Sequence, residues 1–433
     1  MVNGLVEFLK KTPSAFHAIK NITDELAAQG YTRLNEGDKW QLKAGGKYYV
    51  TRNLSSVLAF IVPEGGITRA LLTASHCDSP VFKIKENAEL EVKQKYIQLD
   101  TERYGGVILS SWLDRPLSFA GRVLVKTQRG IETRLVNLDE DALVIPNVAP
   151  HMNRKINEGF TYNLQTDMVP LYGDFTEKGS FRQRVADMAG VAKENLLGTD
   201  LFLYSRTQPA VWGPKQEYVS AGRLDDLECA YTATRAFLTC TPAEGSLPML
   251  AVFDNEEVGS TTKQGADSSF LTDTLFRICL AMGLDREDYC RMQANSIMLS
   301  CDNAHALHPN HPEFFDAVNA VYMNEGIVLK ESANQKYTSD GVSKALFRFV
   351  LEKANVPFQF YANRSDVAGG GTLGNISNRH FSLNTVDIGL AQLAMHSAYE
   401  TAGSKDVEYM INGMKAFYEC SSDMIRDGEF IIK

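Results

Sequence analysis

Two adjacent glutamates, Glu256 and Glu257, stand directly after an apolar run at residues 250–253 and two polar residues. The apolar run predicts a buried strand, so both carboxylates are expected at a strand end. Neighbouring side chains on an extended or turning backbone point in different directions, so one glutamate can hold a metal while the other moves a proton. A lone Glu-Glu pair is more often a solvated acidic turn, so residues elsewhere in the chain must decide.

Further metal-binding residue types follow other predicted strands or precede a predicted helix. Open α/β sheets place ligand sites at strand ends, and imidazoles with carboxylates are the ligand set of zinc or a similar divalent ion. Taken singly, Asp225 suits a helix N-cap, His396 a core histidine and Asp302 a turn. A buried cluster of so many acids requires cations, which favours a shared metal site. The residues are His76, Asp78, Asp225, Asp226, Asp302 and His396.

The elements that must position these residues follow an α/β pattern. An amphipathic helix is predicted over 14–29, then strands over 48–51, 57–62 and 70–74. After residue 219 helices and strands alternate, which predicts an α/β sandwich with a mixed sheet. The predicted elements are helix 226–239, strand 249–253, helix 268–283, strand 296–300, helix 340–354, strand 357–361, strand 384–388 and a final helix from about 406.

Residues 90–218 differ in sequence pattern from the rest of the chain, because alternating strand-like runs replace long helical patterns. Two alternating runs at 122–126 and 132–136 flank a turn at 128–130 and predict a hairpin, and a short helix is expected near Glu194. We therefore expect an α/β/α domain in two parts, 1–89 and 219–433, interrupted by a β-rich domain at 90–218.

Composition excludes several classes of protein. The 433 residues are 44% hydrophobic and 22% charged, without an apolar run near the length of a membrane span, so no membrane association is expected. A net charge of -9 does not provide the positive charge that nucleic-acid binding requires. The charged N-terminal segment lacks the apolar core of a signal peptide, which predicts a cytoplasmic protein. Seven scattered cysteines suggest neither a disulfide framework nor a zinc-thiolate site.

Five ordered segments together resemble the motifs of the aspartyl aminopeptidases, di-zinc exopeptidases that remove N-terminal acidic residues from peptides. The resemblance spans the chain from Phe16 to the last helix and includes residues 112–117, Trp-Leu-Asp-Arg-Pro-Leu. The segments are Thr-Ala-Ser-His-Cys-Asp-Ser-Pro (73–80), Gly-Arg-Leu-Asp-Asp-Leu (222–227), Asp-Asn-Glu-Glu-Val-Gly-Ser (254–260), Ser-Cys-Asp-Asn-Ala-His-Ala (300–306) and Gln-Leu-Ala-Met-His-Ser (392–397).

The resemblance implies a ligand set for two zinc ions per subunit, with Co²⁺ or Mn²⁺ as substitutes. Asp225 would bridge both ions, His76 and Asp302 would complete one, and Glu257 and His396 would complete the other. Glu256 would be the general base, and Asp78 would orient His76 or the metal site. Spacing alone would also allow Glu256 and Glu257 to exchange roles.

For the acidic side chain of the substrate, the resemblance implies Lys330 as the partner cation. Lys336 and Arg364 compete for that role, and His305 could line the same pocket or simply pack. The glycine run 369–371 after Asp366 lacks a P-loop lysine, so a tight substrate-facing turn is the better interpretation.

In the family the inserted domain builds dimers, which assemble further into a tetrahedral dodecamer. His151 matches a histidine that reaches into the neighbouring subunit's site and would hold the oxyanion. Two departures stand out. Asp226 follows Asp225 where asparagine is expected, and residues 368–372 have glycine where serine or threonine is expected. The first adds a negative charge near the metals.

Two other functions compete with an acidic-residue aminopeptidase. The nearest is a broad or neutral aminopeptidase, amidohydrolase or deacylase on the same metals. A catalytically silent scaffold subunit would lack ligands, whereas all the expected positions are filled here.

Overall fold

The computed structural model describes residues 1–433 and contains nine α-helices and twenty-two strands. The helices are α1 (Val2–Lys10), α2 (Ala15–Ala28), α3 (Ser180–Met188), α4 (Leu224–Thr239), α5 (Phe270–Ala281), α6 (Arg286–Asn295), α7 (Gly341–Lys353), α8 (Leu373–Ser377) and α9 (Asp406–Glu419). The strands are β1 (Thr32–Leu34), β2 (Lys47–Arg52), β3 (Ser56–Ile61), β4 (Arg69–His76), β5 (Val81–Val92), β6 (Tyr96–Tyr104), β7 (Leu117–Thr127), β8 (Gly130–Asn137), β9 (Leu171–Asp174), β10 (Leu196–Ser205), β11 (Ala210–Trp212), β12 (Tyr218–Ala221), β13 (Ser246–Phe253), β14 (Ile297–Cys301), β15 (Ala304–His305), β16 (Ile327–Glu331), β17 (Phe358–Ala362), β18 (Asn384–Gly389), β19 (Ala391–Leu393), β20 (Glu400–Gly403), β21 (Ser422–Arg426) and β22 (Glu429–Ile432).

A nine-stranded mixed sheet has the order β1-β2-β3-β13-β4-β14-β18-β16-β17. Strands β13 and β14 both pair in parallel with β4, and β14 pairs in parallel with β18. The carboxyl ends of these four strands therefore meet at one edge of the sheet, where ligand sites of open α/β sheets lie.

Both faces of this sheet are covered by helices. Because side chains alternate along a strand, Val57 and Ala59 of β3 pack into one core while Leu58 and Phe60 pack into another. The first core includes residues of α1, α2, α4, α7 and α9, and the second includes residues of α5 and α6. This arrangement confirms the predicted mixed-sheet α/β/α class.

A six-stranded sheet, wholly antiparallel, lies within residues 81–205 and has the order β8-β7-β10-β5-β6-β9. It has its own core, in which Trp112 packs edge-on against Phe82 at 5.3 Å between ring centroids. A third sheet, β11-β12-β20-β19-β15, connects the segment after β10 to the C-terminal part of the chain. The six-stranded sheet and its separate hydrophobic core thus form a β-rich unit.

Several elements differ from the sequence-based expectations. The expected short helix near Glu194 is only a 3-10 turn at Lys193–Asn195, and the α-helix of this region is α3, which begins after Gly179. Helix α6 was not predicted because few of its residues are apolar, although Asp285 and Asp288 form a capping box at its start. No helix of the structure has the length and apolar character needed to cross a bilayer.

Candidate metal centre

Three strand ends bring predicted site residues together at one edge of the nine-stranded sheet. His76 ends β4, Asp302 directly follows β14, and Glu256 and Glu257 begin a 3-10 turn just after β13. The turn starts from Asn255, whose φ of 63° lies in the left-handed region. Parallel pairing of these strands is what places the three segments side by side.

Asp225 lies between two imidazoles at the start of α4. Its Oδ1 is 3.5 Å from His76 Nε2, and its Oδ2 is 3.4 Å from His396 Nε2. His396 Nε2 is also 3.4 Å from Glu257 Oε2. Asp225 therefore faces one histidine with each of its two oxygens, which is the position expected of a bridging carboxylate.

Two groups of ligand atoms share Asp225. The first joins His76, Asp225 and Glu257, and the second joins Asp225, Asp226 and Asp302; within each group the atoms lie within 4.8 Å of one another. Asp226 also accepts a hydrogen bond from the backbone N–H of His76 at 3.1 Å through Oδ2. One oxygen of Asp226 thus anchors the end of β4 while the other faces the acids.

Buried oxygens in this cluster have no hydrogen-bond partner. They are Asp225 Oδ1, Asp226 Oδ1 and Glu257 Oε1. Burial raises the pKa of Glu257 and of Asp226 well above ordinary carboxyl values. Burial acts in the same direction on Asp225, but the neighbouring imidazoles of His396 and His76 hold its pKa below the ordinary value. Unpaired buried carboxylates are costly, so the residues present fit divalent cations, and their nitrogen and oxygen donors suit zinc.

Asp78 fixes the backbone of both glutamates. Its Oδ1 accepts the N–H of Glu256 and its Oδ2 accepts the N–H of Glu257, each at 3.1 Å. The backbone carbonyl of Asp78 lies 3.1 Å from His76 Nδ1. A hydrogen bond from Nδ1–H to this carbonyl leaves Nε2 free to face Asp225, as metal-ligating histidines require.

The cluster forms one end of a cavity of about 430 Å³, which we call the central cavity; its lining includes Glu256, Asp302, His305, Lys330 and Tyr337. Burial raises the pKa of Glu256 to about 8, and the charge of Asp302 acts in the same direction. An unligated carboxyl group with a pKa near neutrality is suited to general acid–base chemistry.

Lys330 is one of the most deeply buried side chains of the molecule, 1% exposed. Its Nζ donates to the backbone carbonyls of Asp302 at 2.7 Å and Asn303 at 3.3 Å, and lies 3.9 Å from Asp302 Oδ2. Burial lowers the pKa of Lys330, but the acidic groups of Asp302, Tyr337 and Asp387 together outweigh it and the net shift is upward. The cavity therefore contains one fixed positive charge beside the acidic cluster.

Lys336 and Asp366 lie elsewhere. Lys336 lines a second cavity of about 600 Å³, the outer cavity, together with Lys344 and Arg364. Asp366 is exposed and pairs with Arg364 at 2.8 Å. The glycine run separates the two cavities, since Gly369 lines the outer one while Gly370 and Gly371 line the central one.

His151 is exposed in the segment 146–163 and lies outside the central cavity of its own chain.

Glu400, which the sequence did not single out, holds two residues of the cluster. Its Oε2 accepts the N–H of Asp225 at 3.1 Å and its Oε1 accepts the N–H of His396 at 2.7 Å. Burial raises the pKa of Glu400 to about 8. Its position shortly after His396 at the start of β20 was the only available signal, and an acid at a strand start is too common to be diagnostic.

Comparisons with known proteins bear on this site. The family model described as aminopeptidase I zinc metalloprotease (M18) matches residues 8–418. The chain is 44% identical over 422 residues to a probable M18 family aminopeptidase 2 of Clostridium acetobutylicum, covering 96% of this chain and 97% of the relative. It is 37% identical over 429 residues to a protein of the same description from Pseudomonas savastanoi, covering 96% and 97%.

Solved structures of similar proteins share the fold. An M18 aminopeptidase from Thermotoga maritima superposes with a TM-score of 0.84 at 25% identity, covering 96% of this chain and 95% of that one. A Saccharomyces cerevisiae structure described as the mApe1 dodecamer superposes with a TM-score of 0.84 at 26% identity, covering 96% of each chain. Both similarities extend over almost the whole length, including the six-stranded sheet.

Proposed function

The chain belongs to the M18 family of zinc metalloaminopeptidases, and from this premise we propose that it removes N-terminal Asp or Glu from peptides with two zinc ions per subunit. The observation that carries the proposal is the cluster around Asp225, in which two imidazoles lie beside buried carboxylates and three carboxylate oxygens have no hydrogen-bond partner. Bound cations would pair these oxygens, which are costly to bury alone.

In this proposal Asp225 would be the ligand that both ions share. His76 and Asp302 would complete one ion's protein ligands, and Glu257 and His396 would complete the other's. Co²⁺ and Mn²⁺, which accept the same nitrogen and oxygen ligands, are substitutes. The support for the shared ligand is that Asp225 belongs to both groups of neighbouring ligand atoms. The division of the other four ligands follows the family resemblance, since the groups place His76 beside Glu257 and Asp302 beside Asp226.

Two bound divalent ions would lower the pKa of a water molecule and polarise the scissile carbonyl. Glu256 would accept the proton of the attacking water and deliver it to the leaving amine. Asp78 holds the backbone of Glu256 and Glu257 so that the two side chains diverge into different roles. The oxyanion would be held by His151 of a neighbouring copy, because His151 is exposed and does not line the central cavity of its own chain.

Lys330 would meet the acidic side chain of the substrate. Its ammonium has three donors, two of which go to the carbonyls of Asp302 and Asn303, so one N–H remains for a substrate carboxylate. His305 would line the same cavity. Contacts of Lys336 and Asp366 with substrate stay predictions, and they require a peptide that extends beyond the central cavity.

A broader aminopeptidase is the second candidate, and one observation favours it. The carboxylate of Asp302 lies 3.9 Å from Lys330 Nζ and already offsets part of the charge that an acidic substrate would need. In that case Lys330 would support the loop after β14 instead of selecting substrates.

We further propose that residues 90–218 form the oligomerisation domain between catalytic parts 1–89 and 219–433, and that dimers assemble into a tetrahedral dodecamer. The similarity to a protein solved as a dodecamer supports self-association. The cytoplasmic location stays a prediction.

A panel of aminoacyl substrates with N-terminal Asp, Glu, Leu or Lys, each assayed with zinc, cobalt and manganese, tests the proposal. We expect kcat/KM for Asp and Glu to exceed that for Leu by at least about 100-fold. A buried lysine pairs with an acidic substrate side chain, whereas a Leu side chain leaves it unpaired. Equal rates for Leu and Glu would support the broader aminopeptidase, and no cleavage of any of them would reject both.

A further inference from the structure

Three consecutive residues at the end of β6, Tyr104-Gly105-Gly106, contact the cluster from the side of the six-stranded sheet. We propose that this segment is a positioning element that each subunit's own β-rich sheet supplies to its own metal site. The inference rests on the proposed function for its kinetic consequences, but its structural basis is the set of contacts that these three residues make.

Tyr104 acts through Asp78. Its hydroxyl donates to Asp78 Oδ2 at 2.7 Å and accepts from Asn255 Nδ2 at 2.8 Å. The same Asp78 oxygen accepts the N–H of Glu257, and the other accepts the N–H of Glu256. The tyrosine ring packs edge-on against Phe202 of β10 at 5.8 Å, which fixes the hydroxyl relative to the six-stranded sheet. Tyr104 is therefore a positioning residue for the base and for one ligand.

Gly105 allows the segment to approach Glu257 closely. Its φ is +73°, and a Cβ at this position would lie 3.2 Å from Glu257 Cβ and 3.4 Å from Pro80 Cα. A side chain here would be strained by the backbone conformation and would press on Glu257. Glycine is thus required by both the backbone conformation and the space.

Gly106 orients His396. Its carbonyl oxygen lies 2.9 Å from His396 Nδ1 and accepts the Nδ1–H hydrogen bond. This tautomer leaves His396 Nε2 unprotonated toward Asp225 and Glu257, as metal ligation requires. A Cβ on Gly106 would lie 3.2 Å from the same Nδ1.

The segment 104–106 thus contacts Asp78, which holds the backbone of Glu256. It also contacts Glu257 and His396, the proposed carboxylate and histidine ligands. Strand β6 pairs with β5 and β9 and belongs wholly to the six-stranded sheet. Outer partners of metal ligands affect metal affinity or activity by about 10–100-fold. Displacement of the six-stranded sheet relative to the nine-stranded sheet should therefore change the metal affinity or the activity of the site. The β-rich region therefore shapes the site within one subunit, independently of any assembly.

The first test compares Tyr104→Phe with Tyr204→Phe. Tyr204 lies in the same sheet and its hydroxyl donates to Asn137 Oδ1 at 2.8 Å, so the control removes an equivalent bond outside the site. We expect Tyr104→Phe to lower kcat about 10–100-fold with KM nearly unchanged, and Tyr204→Phe to leave both near wild type. Equal kinetics for the two variants at equal thermal stability would overturn the role of Tyr104.

The second test uses protein without substrate. Gly106→Ala is compared with Gly198→Ala in β10, where an added Cβ meets nothing within 4 Å. We expect zinc affinity, measured by competition with a chelator, to fall about 10–100-fold for Gly106→Ala alone, with a changed visible absorption spectrum of the cobalt-loaded protein. Unchanged affinity and spectrum would overturn the role of Gly106. Because this readout needs no turnover, the segment's role can stand even where the wild type fails to cleave acidic aminoacyl substrates.

Discussion

The central and outer cavities are neighbours on opposite sides of the glycine run 369–371, and both are lined by charged side chains. The outer cavity has exposed or half-buried charges that form ion pairs, Lys344 with Glu331 and Arg364 with the exposed Asp366. In the central cavity the carboxylates are buried and several oxygens have no partner. The difference shows that unpaired burial, not the density of charge, marks the candidate site.

The energetics of the two cavities differ accordingly. Exposed ion pairs contribute about 0–1 kcal/mol each, so the outer cavity is stable without any bound ion. An ionised buried carboxylate without a partner costs several kcal/mol, so bound cations would stabilise the central cavity with its acids ionised. Changes in the central cavity should therefore have large effects, and matched changes in the outer cavity small ones.

Metal removal should have the largest effect. Dialysis against a strong chelator should abolish aminopeptidase activity and lower the melting temperature, because the buried carboxylates then repel one another without a cation. Zinc should restore both properties, whereas Mg²⁺, which prefers an octahedral oxygen site, should not. Full activity in a sample whose metal content has been measured as negligible would contradict a metal-dependent site.

Glu256→Gln should come next. The amide keeps the shape of the side chain but cannot accept the proton of the attacking water, so kcat should fall about 10²–10⁴-fold. Zinc content, measured by atomic absorption, should stay at the wild-type value, since Glu256 is not among the proposed ligands. Glu331→Gln in the outer cavity is the matched control and should retain wild-type kcat. Loss of zinc in Glu256→Gln would indicate that the roles of Glu256 and Glu257 are exchanged.

Lys330→Met and Lys336→Met compare one lysine from each cavity. Lys330→Met removes the fixed charge and also two bonds to backbone carbonyls, so some loss on every substrate is expected. The informative quantity is the ratio of kcat/KM for Glu and Leu substrates, which should fall about 100-fold for Lys330→Met and stay unchanged for Lys336→Met. An unchanged ratio for Lys330→Met would place acidic recognition elsewhere, and a changed ratio for Lys336→Met would extend it into the outer cavity.

Glu400→Gln should have the smallest effect within the central cavity. One of its two acceptors becomes an NH₂ group facing a backbone N–H, which loosens Asp225 or His396 and should reduce zinc affinity about 10-fold. Asp406→Asn is the control, because Asp406 is a buried carboxylate that likewise accepts two backbone N–H groups, those of Asn324 and Gly326, away from the cluster. Asp406→Asn should lower the melting temperature without changing zinc affinity. Equal zinc affinities in Glu400→Gln and Asp406→Asn would reject a positioning role for Glu400.

Much of the catalytic fold was predictable because its signals are local. The apolar runs at 70–74, 249–253, 296–300 and 384–388 predicted β4, β13, β14 and β18, which supply the edge of the sheet where the cluster lies. Strand β16, which carries Lys330, was not predicted, because its apolar run at 327–329 is followed by two charged residues and is shorter than the roughly 4–8 residues of a buried strand.

The sequence by itself determined which residue types follow the parallel strands and, through the ordered motifs, the family to which the chain belongs. It favoured Lys330 over Lys336 and Arg364 only through the family resemblance, and it did not reveal Glu400 or Tyr104. Those distinctions depend on hydrogen bonds between residues far apart in the chain, such as Glu400 with Asp225 and His396 with Gly106. Periodicity and spacing describe only near neighbours, whereas the packing of two sheets decides which distant groups share a buried, low-dielectric space.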